Sequence, residues 1–396
     1  MAKRLAIPSA EVKLRIVGTF NYLDVPRVQR VTLSSDIPTT DVFELGNNTL
    51  AGTATDIPNI TVAFSAFDVG VRVFSVLTGV SETAWVLGVG VNIDQLSEVD
   101  AVLYIKDATT SDFVKSAHAR RMQVRDFSFS YSVDGESTED YTLIGSARRW
   151  FKNDVMVDRF TTGGTTHTLT ETPLVLKNGD YTLSVILDGV YLDTETVGAP
   201  TAAGEYSVNA GTKVVTTFTA CVNKIIVVYH AHKAGTNWTY INDPNHPAAI
   251  RGKDVEITIA AADIPRVQSV TINGNLNVQP VREMSNDEIV GYQRQTPTVD
   301  GTITVLDTDT ELLDLLINGS ASADTEFEIG ITCTPSGVPL KIELQDPCTD
   351  TVLKTVYIPE IVLTGDSWAS NVNQNATYTL NWKSNTAECV IFSGSM

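Results

Sequence analysis

Asp24-Val25-Pro26-Arg27-Val28-Gln29-Arg30-Val31-Thr32-Leu33 returns later in the chain as Asp263-Ile264-Pro265-Arg266-Val267-Gln268-Ser269-Val270-Thr271-Ile272, with seven of ten positions identical. Pro26 and Pro265 are 239 residues apart, and the same interval carries Glu44, Gly52, Pro58 and Asp68 onto Glu283, Gly291, Pro297 and Asp307. Asp107 meets Asp346 at that interval, while Tyr141-Thr142-Leu143 matches Tyr378-Thr379-Leu380 only after a slip of two residues. A repeat this long is a duplicated domain rather than a short solenoid unit. It suggests an assembly in which one chain fills two equivalent positions.

With 396 residues, the chain is expected to hold two or three domains, each able to bury its own core. Apolar content of 43% with only 19% charged residues suits a folded, β-rich protein and argues against disorder. The opening Met1-Ala2-Lys3-Arg4-Leu5-Ala6-Ile7-Pro8 lacks the apolar core of a signal peptide. The longest apolar run, Ala84 to Ile93, holds two glycines and is of strand length, so no membrane span is expected. The net charge of −19 is uneven: −4 over residues 1–157, −3 over 158–245 and −12 over 246–396. Such a surface repels phosphate and argues against stable nucleic-acid binding. The four cysteines, Cys221, Cys333, Cys348 and Cys389, have no C-x-x-C spacing and are expected reduced and buried; a meeting of Cys333 with Cys348 stays open.

The repeats span 1–157 and 246–396 as first and second domains, with an intervening β-rich domain over 158–245. Period-2 alternation marks their strands, most clearly in Phe127-Ser128-Phe129-Ser130-Tyr131-Ser132-Val133. One helix per repeat is expected. In the second copy Asp307-Thr308-Asp309-Thr310 supplies N-cap candidates for Glu311 to Leu316, and Asn318-Gly319 ends it. In the first copy the valine-rich Asp68 to Gly79 stretch takes that place. Ser34–Asn59 and Asn273–Thr298 read as long polar arms without clear strand signal, either contacting a partner or hanging as flexible hairpins. The intervening segment predicts hairpin turns at Asn178-Gly179 and Asp188-Gly189 and a strand over Lys224–Tyr229, enough for a small β-sandwich.

Little points to chemistry. His230 and His232 share a strand face near Asp243 and His246, but a third and fourth zinc ligand are not evident. Asp134-Gly135-Glu136-Ser137-Thr138-Glu139-Asp140 lacks the spacing of a calcium loop and reads as a solvated hairpin turn. No nucleophile elbow, P-loop, zincin or dinucleotide fingerprint stands in a suitable context, and the small basic groups around Arg120 and Arg148 are too dilute for a nucleic-acid groove. No catalytic, cofactor or metal residue is assigned, and an enzyme is not expected.

The Pro-Arg-Val-Gln-x-Val-Thr strand start, the polar arm with Glu44-Leu45-Gly46-Asn47 or Glu283-Met284-Ser285-Asn286, the return strand and the capped helix together resemble the tail tube proteins of tailed phages. Ala249 to Val255 ahead of the second copy adds to the likeness, which covers both repeats. The resemblance implies all-β, barrel- or sandwich-type tube domains with a flanking helix. It further implies stacked rings, here homotrimeric and pseudo-hexameric, forming a virion tail tube assembled in the host cytoplasm. DNA would transit the lumen without specific binding, and tape measure, terminator and baseplate or tip proteins would be the other partners. By this likeness the assembly residues are Pro26, Arg27, Gln29, Glu44, Asn47, Asn48 and Pro58, with Pro265, Arg266, Gln268, Glu283, Asn286, Asp287 and Pro297 in the second copy. The motif could instead be a local fold determinant. The rival reading is a tandem β-domain receptor- or carbohydrate-binding protein, with Trp238 and Tyr240 as its candidate aromatics.

Overall fold

In the computed structural model the described residues are 8–16, 23–43, 50–68, 70–78, 89–107, 113–151, 155–160, 164–170, 172–173, 183–187, 190–192, 194–196, 198–209, 211–220, 222, 225–230, 249–260, 262–264, 266–284, 289–306, 313, 316, 337–370 and 375–396. The fold is all-β, its sheets antiparallel except where Thr194–Glu195 runs parallel to Glu205–Asn209, with a short helix, Arg72–Thr78, described over its whole length. The sheets are open, so the barrel half of the expectation is not met there. No helix among them is long and apolar enough to cross a membrane.

The chain divides into two compact units. One comprises Met1–Asp24, Val99–Arg121 and Ala147–Pro244. Within it, Pro8–Ile16 pairs with Val99–Asp107, and Ala147–Phe151 pairs with the Ser116–Arg120 part of a long strand. The intervening segment builds two four-stranded sheets, one from Val155–Phe160, Ile225–His230, Leu183–Leu187 and Val190–Leu192, the other from Thr166–Thr168, Val214–Thr217, Glu205–Asn209 and Thr194–Glu195. Val185, Val227 and Tyr229 of the first sheet share a buried core with Tyr206 and Val215 of the second, as a β-sandwich requires. The buried Asp158 carboxylate ties it together, accepting from the Tyr229 hydroxyl at 2.8 Å and from the Thr170 amide at 2.7 Å. Leu187 pairs with Val190, whereas the expected turn residues Asp188-Gly189, like Asn178-Gly179, lie outside the described residues.

The other unit comprises Val25–Glu98, Met122–Ser146 and Asn245–Met396. Each repeat contributes four corresponding strands to it. They are the motif strand (Val28–Asp36; Val267–Asn275), the return strand (Asn59–Phe67; Thr298–Leu306), the long strand (Phe113–Ser132; Val352–Ala369) and the hairpin strand (Thr138–Gly145; Thr377–Ser384). In both copies the order is motif, return, hairpin, long. Burial follows the alternation: Phe127, Phe129 and Tyr131 are buried on one face between half-buried serines on the other.

The registers correct one reading of the repeat. Tyr141 stands opposite Phe64, and it is Leu380, not Tyr378, that stands opposite Ile303. The slip of two is therefore an accident of similar tripeptides, and the 239-residue interval runs unbroken through the hairpin strand. The arms are also more ordered than expected: Thr39–Phe43 pairs with Leu50–Thr55, and Val278–Val281 with Gly291–Arg294. The helix Arg72–Thr78 forms in the weaker, valine-rich stretch because tertiary burial of Val73, Phe74, Val76 and Leu77 outweighs propensity. In the second copy Leu313 and Leu316 are helical and buried; the rest of that expected helix lies outside the described residues.

Candidate assembly interface

The repeated motif performs the same backbone manoeuvre twice. Arg27 and Arg266 both take positive φ, 54° and 62°. Two residues later, Gln29 and Gln268 fall at register shifts, each the extra residue of a β-bulge. Each glutamine side chain donates back to the carbonyl of its arginine, at 3.0 and 3.2 Å. Those carbonyls also accept from Phe67 and Leu306, 239 residues apart, so the bulge is locked to the end of the return strand. Strain at a left-handed non-glycine residue persists where its surroundings over-determine it. Pro26 is buried beside this turn, and Pro265 lies outside the described residues. The motif thus sets the twist and register of the motif strand, which is the fold-determinant role left open by the sequence.

The two copies meet edge to edge. The long strand of the first copy pairs antiparallel with the motif strand of the second, from Ser132 opposite Ser269 to Asp126 opposite Asn275. The result is one continuous sheet through both repeats. Phe129 faces Ile272 across the seam and both are fully buried, each worth about 2–3 kcal/mol of apolar transfer. Gly274 faces Phe127, and a Cβ there would lie 1.9 Å from the phenyl ring. On the opposite face Ser128 donates to the Asn273 side-chain oxygen at 2.8 Å.

Beside the seam lies a buried ionic cluster. Lys354 of the second long strand places Nζ 2.6 Å from Asp68 Oδ2 and 3.6 Å from Glu139 Oε2, and all three side chains are fully buried. Asp68 also accepts from the Gly70 amide at 2.9 Å, and Glu139 accepts from the Tyr141 hydroxyl at 2.9 Å. The ammonium sits 4.6 Å from the Phe129 ring centroid. Burial pushes the Glu139 carboxyl up to about 8, a rise that Lys354 attenuates and Asp68 reinforces. For Lys354, burial pulls downward, but Asp68 and Glu139 together outweigh it and its net direction is up. The tyrosines Tyr131 and Tyr141 are raised, by burial first and then by the adjacent carboxylates. Removing one partner from such a pair costs about 3–5 kcal/mol, because the remaining charge has no water. Glu139 is therefore not part of a solvated turn; only Asp134 and Glu136 of that stretch are exposed.

The second arm lies on the first copy. Arg282 pairs with Asp56 at 2.8 Å and reaches the Asn59 side chain at 3.3 Å. Ile289 donates its amide to Ser146 Oγ at 2.9 Å, and the Tyr292 hydroxyl donates to the Ile144 carbonyl at 3.1 Å. Arg294 donates to the carbonyls of Asp94 and Leu96. At the matching positions of the first arm stand Phe43, Leu50, Thr53 and Thr55. Of the expected arm residues, Pro58 and Pro297 are half-buried and Glu283 is exposed; Glu44, Asn47, Asn48, Asn286 and Asp287 lie outside the described residues. The anchors Arg282, Tyr292 and Arg294 were not singled out from sequence, because they have no counterparts in the first copy.

No group of three or more His, Cys, Asp or Glu suited to a metal occurs among the described residues. His232, Asp243, His246, Trp238 and Tyr240 lie outside them. Cys389 is free and buried, its thiol pushed up to about 12 by burial against the smaller opposing pull of Lys354, whereas Cys348 is exposed, contrary to expectation. Cys348 sits in a tight turn whose amides are held by the Asp346 carboxylate, which leaves its side chain outside the core. No known family model matches the chain, and no curated protein matches it in sequence.

Proposed function

We propose that the chain is a structural virion protein whose homotrimeric, pseudo-hexameric rings stack into a phage tail tube that conducts DNA. One observation carries the reading: the duplicated domains join through unlike edges, long strand to motif strand. A join between unlike surfaces repeats head to tail, and it closes into a ring when the rotation permits. Three such chains supply six domain positions. The seam's solvent-side face suits a passage for a polyanion. It offers Ser128, Ser130, Thr142, Thr271 and Asn273 together with Asp140 and with Asp300, which faces Lys383 on its far side; the small polar groups and carboxylates at the seam itself repel phosphate without gripping it.

Negative-stain electron microscopy of concentrated protein, with rotational averaging of end views, tests this reading. Hollow stacked rings with a six-part wall are the expected result. Channel-free particles at every concentration and salt would refute it.

A further inference from the structure

We infer that Lys354 and Asp68 condense into an intramolecular amide, Nζ to Cγ, with Glu139 relaying the proton, so that a covalent bond comes to clasp the two copies of the domain. The inference rests on the buried cluster beside the seam and is independent of rings or a tube.

Lys354 Nζ lies 2.6 Å from Asp68 Oδ2, one covalent bond from the carboxyl carbon, and both side chains are fully buried. Reactants held in register reach effective molarities of about 10⁵–10⁸ M, which makes accessible a condensation that is negligible between free solutes. The surroundings are aromatic. The ammonium lies 4.6 Å from the Phe129 ring centroid, and Tyr141 stands against Phe129 and Phe64 with centroids 6.2 and 5.5 Å apart. Water stabilises the two ions more than it stabilises an amide. Where burial removes that water, exchanging two charges for one neutral group is favoured.

The remaining contacts fit the reaction atom by atom. Asp68 Oδ1 accepts from the Gly70 amide at 2.9 Å, a donor placed on the oxygen that gains charge in a tetrahedral intermediate. Oδ2, on the amine side, is the oxygen that leaves, and the Tyr131 hydroxyl approaches it at 3.5 Å. Glu139 Oε2 is 3.6 Å from Nζ, while its Oε1 is buried and makes no hydrogen bond among the described residues. Burial raises the Glu139 carboxyl to about 8, so at neutral pH it holds a proton to give and replace.

In the step itself the Lys354 ammonium passes one proton to Asp68 Oδ2, leaving a neutral amine and a neutral acid. Nζ then attacks Cγ. Glu139 gives its proton to Oδ2 and takes one from Nζ, the Cγ–Oδ2 bond breaks, and one water leaves. No oxidant or other reactant is needed. The product carbonyl oxygen, Oδ1, keeps the Gly70 hydrogen bond, and the chain is tied to itself across 286 residues. Because the net direction of Lys354 is up, the neutral amine is scarce. A freshly folded chain therefore holds the ion pair described above and condenses slowly.

The test is mass spectrometry of the native chain at intervals after purification, on the intact protein and on tryptic peptides made after unfolding. The expected result is the loss of one water per chain, with Val31–Arg72 and Ile342–Lys383 joined through Asp68 and an uncut Lys354. Chain kept in urea throughout should stay unjoined. Glu139→Gln, which keeps an oxygen for the Tyr141 hydroxyl, should join these peptides about a hundredfold more slowly.

A folded chain whose mass and peptides never change overturns the inference and leaves the ion pair as the end state. Loss of water without joined peptides, as from a succinimide at Asp134-Gly135 or Asp300-Gly301, overturns it equally. So does a join from Lys354 to Asp126–Arg148, the peptide that carries Glu139. Equal rates in the parent and in Glu139→Gln refute the proton relay.

Discussion

Glu139→Gln removes a proton that the folded chain holds and the unfolded chain releases. The ordinary value for this carboxyl is 4.5 and burial at the seam raises it to about 8. Below the lower value both states are protonated and folding is indifferent to pH. Between the two, the unfolded carboxyl ionises while the buried one stays neutral, so stability falls as pH rises, by about 1.4 kcal/mol per unit. Across the whole window the loss is on the order of 5 kcal/mol, comparable to the total stability of many domains. Lys354 does not offset this: its raised value keeps its contribution intact until the solution is far more alkaline. Glutamine keeps an oxygen for the Tyr141 hydroxyl and has no proton to lose. Urea unfolding at pH 5, 6, 7, 8 and 8.5, followed by tryptophan fluorescence, should show the variant gaining on the parent steadily with pH. A variant-minus-parent difference that stays flat from pH 5 to 8.5 would refute the reasoning, because every other titrating group is common to both.

Lys354→Met should cost about 3–5 kcal/mol at neutral pH by stranding Asp68, and the double variant Asp68→Asn/Lys354→Met should recover most of that loss in a denaturant titration. Gly274→Val places a branched side chain against the Phe127 ring and should lower the melting temperature by several degrees; equal melting temperatures in scanning calorimetry would show that the seam can yield. Native protein treated with a thiol reagent should label Cys348 and spare Cys389 until unfolding, read by mass spectrometry of the labelled peptides.

The repeat, the strand alternation at Phe127–Val133 and the sandwich hairpin were legible because each is a local pattern with a fixed period. The seam was less so. Alternation tells which face of the 113–132 strand is apolar, but not which strand lies at its open side. Glu139 was misassigned because five acidic or small polar neighbours look like a turn, while a single buried carboxylate carries no sequence signal. Its partners Asp68 and Lys354 are 286 residues apart, a separation at which only the fold itself brings charges together. The arginine with positive φ in each motif was invisible for a different reason. Nothing in arginine favours that conformation; the glutamine two residues on and the return strand impose it.

The second arm's Arg282, Tyr292 and Arg294 anchors and the Asp68–Glu139–Lys354 cluster all belong to a contact that tandem linkage makes unimolecular. Covalent tethering supplies an effective concentration in the millimolar range for a short flexible linker. Such a contact is made once, during folding, and can afford groups that would be hard to strip of water in each separate encounter. A ring of these chains would then alternate two kinds of joint, a fused one clasped by ions and an arm, and a reversible one formed between separate chains. Dilution, denaturant or mechanical load would open it at every second joint, releasing whole two-domain chains rather than single domains.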